Sequence, residues 1–191
     1  MSDAAKPVRF RVYLAVSLDG FVADADGGVG WLQAFEDVDY GYEAFLAQIG
    51  TVVMGGRSYR QTLGFGAWPY AGKRVVVLSR RGLEAPWPAG VESFAGDVAE
   101  LAARLAEESE GDVWVMGGAA TVTTFLEADA VDELELYVMP VLLGDGVRLF
   151  QPREIAPLRL APALAEIFDN GVLRLIYLLP RPGEMEDEEG A

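Results

Sequence analysis

Two stretches of this chain share one plan. Val52 to Tyr59 reads VVMGGRSY, and Val113 to Phe125 reads VWVMGGAATVTTF. Each begins as an apolar run of strand length, meets a glycine pair and continues with helical composition. An apolar run without alternation suits a strand covered on both faces, as in a parallel sheet. Parallel neighbours need a crossover, which the following helix supplies. The repeated unit therefore constrains the fold to α/β: a three-layer, mixed and mostly parallel sheet with helices on both faces.

The glycine pairs also raise a chemical question. One glycine is enough for a turn, yet Gly117 and Gly118 are followed by Ala119 and Ala120. Small residues at the end of a strand let a ligand approach the backbone. The first turn of the next helix offers free N–H groups and the positive end of its dipole to an anion. A tight, closely packed connection explains the same residues without any ligand. No GxGxxG spacing or P-loop lysine decides between the two.

Two further strand ends bear on the choice. Gly55-Gly56 leads into Arg57-Ser58, and VVVLSRR, Val75 to Arg81, ends on Ser79, Arg80 and Arg81. Ligands of open α/β sheets sit at the carboxyl ends of strands. Arginine suits phosphate because its planar fork can bond it at two points. Together these ends could hold a pyrophosphate and one additional phosphate, the anion set of NADP. The alternative for Arg80-Arg81 is an ordinary solvated turn.

The remaining elements follow from periodicity. Val8 to Ser17 alternates and then turns apolar on both faces, as a strand entering a sheet does. Tyr40 to Gly50 reads as a helix stopped by Gly50, Thr51 to Gly55 as a strand, and Arg57 to Leu63 as a helix. Arg74 to Ser79 and Val91 to Phe94 read as strands. Asp97 caps a helix, with Glu100 completing a capping-box pattern and Gly111 as its stop. Val113 to Met116 is a strand, Ala119 to Ala128 a helix and Leu134 to Leu143 a long strand. Ala165 to Leu179 forms an antiparallel C-terminal hairpin around Asn170-Gly171. Residues 1–179 are expected as a single domain. Residues 180–191, with Glu184, Glu186, Asp187, Glu188 and Glu189, are expected as a disordered acidic tail.

Composition removes several chemistries. The chain has no cysteine and no histidine. Disulfides, thiolate or imidazole metal sites and His-based triads are excluded, and no metal site is expected. The formal net charge of −15 argues against nucleic acid or an anionic membrane as partner. A small anion remains possible, because fields fade over about 8 Å at physiological salt. There is no uncharged apolar run long enough to span a membrane and no secretory h-region, so a cytoplasmic address is expected.

VMGGRSY, VVVLSRR and VWVMGGAATVTTF, with AVSLDGFVA at Ala15 to Ala23 and PVLLGDGVRLF at Pro140 to Phe150, resemble the dihydrofolate-reductase-like superfamily. The resemblance covers residues 8–179 or so. It is closer to the C-terminal reductase domain of the bifunctional riboflavin-biosynthesis deaminase-reductase. It implies a dihydrofolate-reductase-like fold, NADPH as cofactor, a small-molecule substrate and a homodimer joined through the sheet edge and late strands. It implies that Gly117, Gly118 and Ala119 hold the pyrophosphate, with Met116, Ala120 and Thr121 also binding the cofactor. Gly56, Arg57 and Ser58 would hold the adenosine-side phosphates, and Ser79, Arg80 and Arg81 the 2′-phosphate. Ala15, Val22 and Ala23 would lie along the nicotinamide, and Trp31, Tyr42 and Met139 would line a substrate pocket.

Without histidine or cysteine, a proton must come from Asp, Glu, Lys or Tyr. Asp19 in SLDG is a candidate by its place in the loop beside the nicotinamide, or a turn-forming residue before Gly20. Asp39 is either a substrate carboxylate or a helix N-cap, and Trp31 a pocket wall or core. With no histidine or cysteine to build a zinc deaminase, at most the reductase half of that enzyme is expected. The expected function is an NADPH-dependent reductase resembling the riboflavin-pathway 5-amino-6-(5-phosphoribosylamino)uracil reductase. It would transfer hydride to a small heterocyclic or sugar-derived C=O or C=N. The alternatives are folate-type reduction and a non-catalytic NADP-binding protein.

Overall fold

The computed structural model describes residues 6–151 and 157–180 of the 191. From residue 181 on, the expected acidic tail lies outside the described residues. The strands are β1 (Phe10–Ser17), β2 (Phe21–Ala23), β3 (Ile49–Gly55), β4 (Arg74–Leu78), β5 (Val91–Phe94), β6 (Asp112–Gly117), β7 (Glu133–Met139), β8 (Val147–Arg148), β9 (Ala161–Ile167) and β10 (Leu173–Leu178). The helices are α1 (Tyr42–Leu46), α2 (Gly56–Leu63), α3 (Val98–Glu108) and α4 (Ala119–Glu127), with a 3-10 turn over Gly30–Phe35.

Eight strands form one sheet in the order β5-β4-β3-β6-β1-β7-β10-β9. From β5 to β7 every pair is parallel; β7-β10 and β10-β9 are antiparallel. This is the mixed, mostly parallel sheet with a C-terminal hairpin that the apolar runs and Asn170-Gly171 imply. Val52, Val53, Val75, Val76 and Val77 are fully buried because helices cover both faces. One face packs Val12, Val53, Val76 and Val115 against Leu101 and Leu105 of α3 and Val122 and Phe125 of α4. The other packs Val52, Met54, Val75 and Trp114 against Phe45 of α1 and Tyr59 of α2.

Several boundaries differ from periodicity. The helix expected over Tyr40 to Gly50 is one short turn, Tyr42–Leu46, entered through Gly41 at φ +77°. Gly50 is not its stop but lies inside β3, where a Cβ would come 2.5 Å from the Gly111 amide nitrogen. Close backbone approach, not helix termination, requires that glycine. The strand expected to Leu143 ends at Met139, just before Pro140, which cannot donate to a ladder. Strand β9 starts at Ala161, earlier than its apolar pattern suggests. Asp97 caps α3 as expected, accepting from the Ala99 and Glu100 amides at 2.7 and 3.4 Å.

A second, two-stranded ribbon pairs β2 with β8. Strands of three and two residues carry no periodic signal, and the sequence reading contains neither. The ribbon lies beyond the carboxyl end of β1, and a hydrogen bond from Leu149 to the Gly20 carbonyl anchors it.

Candidate functional site

The carboxyl ends of β1, β3, β4 and β6 surround a cavity of about 660 Å³. Two helices open onto it: α2, whose N-cap is Gly55, and α4, whose N-cap is Gly118. Neither N-cap provides a side-chain bond to the first turn. This contrasts with α3, where Asp97 satisfies that turn itself. An uncapped first turn leaves backbone N–H donors for a ligand.

Glycine lets these two ends converge. Gly117 has φ +112°, a conformation closed to side chains, and its peptide bond to Gly118 is cis. A Cβ at Gly55 would come 2.9 Å from Thr121 Oγ1, so a side chain there would push β3 away from α4. A Cβ at Gly118 would meet Ser58 Oγ at an ordinary 3.5 Å. The starts of α2 and α4 are therefore neighbours across the cavity.

The cavity changes character along the sheet. On the β3 side it is lined by Arg57, Ser58 and Gln61 of α2, and Leu78 closes it at the end of β4. Gly118, Ala119, Ala120 and Thr121 lie in the middle. On the β1 side the lining is Leu14, Ala15, Val22, Val29, Leu32 and Met116. Arg57, Arg60, Arg80 and Arg81 make no ion pair among the described residues. In a chain of net charge −15, four unpaired guanidinium groups around the ends of β3 and β4 form a local positive field.

Of the residues expected around a cofactor, Ala15, Val22, Ala23, Gly56, Arg57, Ser58, Met116, Gly118, Ala119, Ala120 and Thr121 line this one cavity. Gly117 sits at the end of β6 between two lining residues. Ser79, Arg80 and Arg81 lie just beyond Leu78 and outside the lining; the Ser79 hydroxyl donates to the Gly82 carbonyl at 2.8 Å, and both arginines are exposed. A Cβ at Gly56 would lie 3.8 Å from Ser79 Cβ, so the serine adjoins the start of α2.

The expected catalytic and substrate residues stand elsewhere. Asp19 accepts from the Ser17 hydroxyl at 2.6 Å and from the Leu143 and Gly144 amides at 3.1 and 2.7 Å. These bonds tie SLDG to GDG and hold the loop before β8. The Ser17 hydroxyl and the two amides keep its carboxyl below the usual carboxylate range. Asp39 accepts from the Gly41 amide at 2.8 Å, while the N-cap of α1 is Gly41. Trp31 and Met139 pack around Tyr137 and Val172, and Tyr42 contacts Tyr13 and Trp114. None of these five lines the cavity. Behind the β1 end, burial raises the phenols of Tyr13, Tyr42, Tyr70 and Tyr137, so they stay neutral donors. The Tyr70 hydroxyl reaches Met116 Sδ at 3.2 Å.

Leu32, Val147 and Gln151 also line the cavity and are absent from the sequence reading. They come from the 3-10 turn and the ribbon. A Cβ at Gly146 would collide with the Ala23 carbonyl, so the glycines of GDG were the available sign that the two pieces meet.

The profile of the RibD C-terminal domain matches residues 10–173. The chain belongs to this family. Within it, the chain is 36% identical to the uncharacterized protein YwjB of Bacillus subtilis over 142 residues, covering 73% of this chain and 80% of YwjB. It is 30% identical to the riboflavin biosynthesis protein RibD of Corynebacterium ammoniagenes, covering 70% of this chain and 43% of that protein. A putative riboflavin biosynthesis protein from Shewanella sp. PV-4 superposes with a TM-score of 0.82 at 30% identity, covering 91% of this chain and all of the other. The RibD C-terminal architecture also recurs in the Thermotoga maritima diaminohydroxyphosphoribosylaminopyrimidine deaminase/5-amino-6-(5-phosphoribosylamino)uracil reductase. There the TM-score is 0.71 at 17% identity, over 91% of this chain and 57% of that one.

Proposed function

We propose that this chain is an NADPH-dependent reductase. The observation that carries the reading is the convergence of two uncapped helix N-termini and an unpaired Arg57 on one cavity at the strand ends. The reductase activity in the names of its relatives agrees with it.

The lining fits a dinucleotide with one additional phosphate. The start of α4, at Ala119 and Ala120, and the first turn of α2, Gly56 to Ser58, would hold the phosphates through backbone N–H groups, since the Thr121 N–H already donates to the Gly118 carbonyl. Arg57 would take the 2′-phosphate, with Ser79 and Arg80 at its outer side. Ala15, Val22 and Ala23 would flank the nicotinamide and keep water from it. When bound, the reduced nicotinamide supplies hydride; the chain supplies binding, alignment and water exclusion.

A binding protein without turnover is the rival reading, and one observation favours it. Among the described residues no Asp, Glu, Lys or Tyr lines the cavity, so it holds no carboxyl, ammonium or phenol acid. Calorimetric titration with NADPH, followed by its oxidation read at 340 nm with carbonyl and imine compounds, separates the two. Binding with oxidation is expected. Tight binding with no oxidation across the whole set leaves the binding protein, and no binding overturns both.

A further inference from the structure

We propose that Met116 is a redox-sensitive modification site: a peroxide converts its thioether to the sulfoxide, and the added oxygen closes the cavity to the nicotinamide nucleotide. The site rests on the surroundings of Met116; its consequence for the nucleotide rests on the reading above.

Methionines are oxidised where a small solute can reach the sulfur. Among the described residues, Met54 is fully buried and Met139 is 5% exposed, each inside a core cluster. Met116 is half-buried, stands near the end of β6 and lines the cavity. Of these three, it alone faces a space that a peroxide can enter.

Its surroundings also set the direction of attack. A thioether sulfur has two lone pairs. The Tyr70 hydroxyl donates to Met116 Sδ at 3.2 Å, and Tyr70 is 6% exposed. Burial keeps that phenol protonated, so it remains a donor. The sulfur is thus covered by Tyr70 on its inner side, and the oxidant arrives from the cavity. The free lone pair attacks one peroxide oxygen, an S–O bond forms and the O–O bond breaks. The departing hydroxide takes the proton of the transferred oxygen and leaves as water. Sulfur gives up two electrons and hydrogen peroxide takes them. Methionine sulfoxide reductases reverse this chemistry.

The new oxygen lies on the cavity side, where the nicotinamide would lie along Ala15, Val22 and Ala23. Leu14, Ala15, Val22, Val29 and Leu32, which line the same end, carry no side-chain donor for it. A bound ring would strip its water and return no hydrogen bond, which costs affinity. Conversely, a bound nucleotide covers the sulfur. The sulfoxide would therefore stop the chain from drawing on NADPH when peroxide is abundant.

The test treats the full chain with hydrogen peroxide and maps the added oxygen peptide by peptide, so that Met1 and Met185 are scored separately. Met116 should gain oxygen tenfold or more faster than Met54 and Met139, and saturating NADPH should slow it tenfold or more. Calorimetry should show NADPH affinity falling tenfold or more once Met116 is oxidised. Met116→Leu conserves volume, and its own NADPH affinity, whatever its starting value, should not change on treatment. Oxidation of Met116 no faster than that of Met54 and Met139 overturns the site. Unchanged affinity with Met116 oxidised, or equal losses in parent and variant, overturns the closure. A parent that binds no NADPH before treatment overturns the nucleotide reading and the closure with it, while the oxidation map still decides the site.

Discussion

Asp19 shows how one carboxylate can be assigned two ways. Its place in the loop after β1 suggests contact with a substrate, but its oxygens already accept from a hydroxyl and two backbone amides. Those bonds join the SLDG and GDG loops, so Asp19 positions the ribbon that covers the β1 end of the cavity. Its native carboxyl is more acidic than an ordinary one, so the stability it contributes is present above the usual carboxylate range. That stability is lost as the pH falls through the depressed native range. Asp19→Asn should therefore melt below the parent at neutral pH, and the gap should close on acidification below about pH 4. A gap that persists unchanged into strong acid would show that the charge is not what holds the loop. At Gly118 the backbone has φ −66°, open to any residue, and the space beside it is the cavity. Gly118→Val should fold, with a melting temperature near the parent's, yet lose tenfold or more in NADPH affinity by calorimetry.

Elements differ in what fixes them. Strands β1, β6 and β7 bring together buried Arg11, Asp112, Glu133 and Glu135 at the end of the sheet opposite the cavity. Arg11 Nε donates to Glu133 at 2.7 Å, and its side chain is 7% exposed. Without Arg11 the three buried carboxylates keep only Arg9, on Asp112 and Glu133, and Arg174, on Glu135, so Arg11→Met should cost up to about 3–5 kcal/mol in chemical denaturation. NADPH affinity should not change, because the group does not touch the cavity. The sequence showed the buried strands, the Asp97 cap and the Asn170-Gly171 hairpin, because each has a local signature: apolar runs, a side-chain acceptor and turn residues. It misjudged α1, where of four apolar or aromatic residues at helical spacing Tyr42, Phe45 and Leu46 belong to a short helical turn and Ile49 to β3. Nothing in a three-residue β2 and a two-residue β8 distinguishes strand from loop, so the cover of the site was not legible. The ends of β3 and β6 were legible because their glycines are punctuation at every scale. The substrate side was not, because Trp31, Tyr42 and Met139 are residues that suit a pocket and a core equally well; here Met139 is buried in a core cluster, and Trp31 and Tyr42 pack half-buried against core clusters.

At the scale of the whole molecule, strand β9 is an edge of the sheet among the described residues, paired on one side with β10. All seven of its residues are exposed, Leu164 and Ile167 among them, and Glu166 is its only charged residue. A long, largely apolar edge invites pairing with another chain, and we expect a second copy to cover it as a homodimer. Light scattering after size exclusion should give twice the chain mass, and Ile167→Lys should shift the population towards monomer; a monomeric parent at micromolar concentration would rule this out.

We propose that the strand ends read a nucleotide with an additional phosphate. In a chain of net charge −15, that preference must come from local arginines, because any diffuse attraction for an anion is opposed. A charge-assisted hydrogen bond contributes roughly 1.5–3 kcal/mol, so one lost contact changes affinity about tenfold or more. The most direct measurement is a calorimetric titration of the parent and Arg57→Ala with NADPH and with NADH. The parent should prefer NADPH, and the variant should lose about tenfold or more for NADPH while NADH is nearly unchanged. Equal losses for both cofactors, or a parent that binds neither, would contradict it.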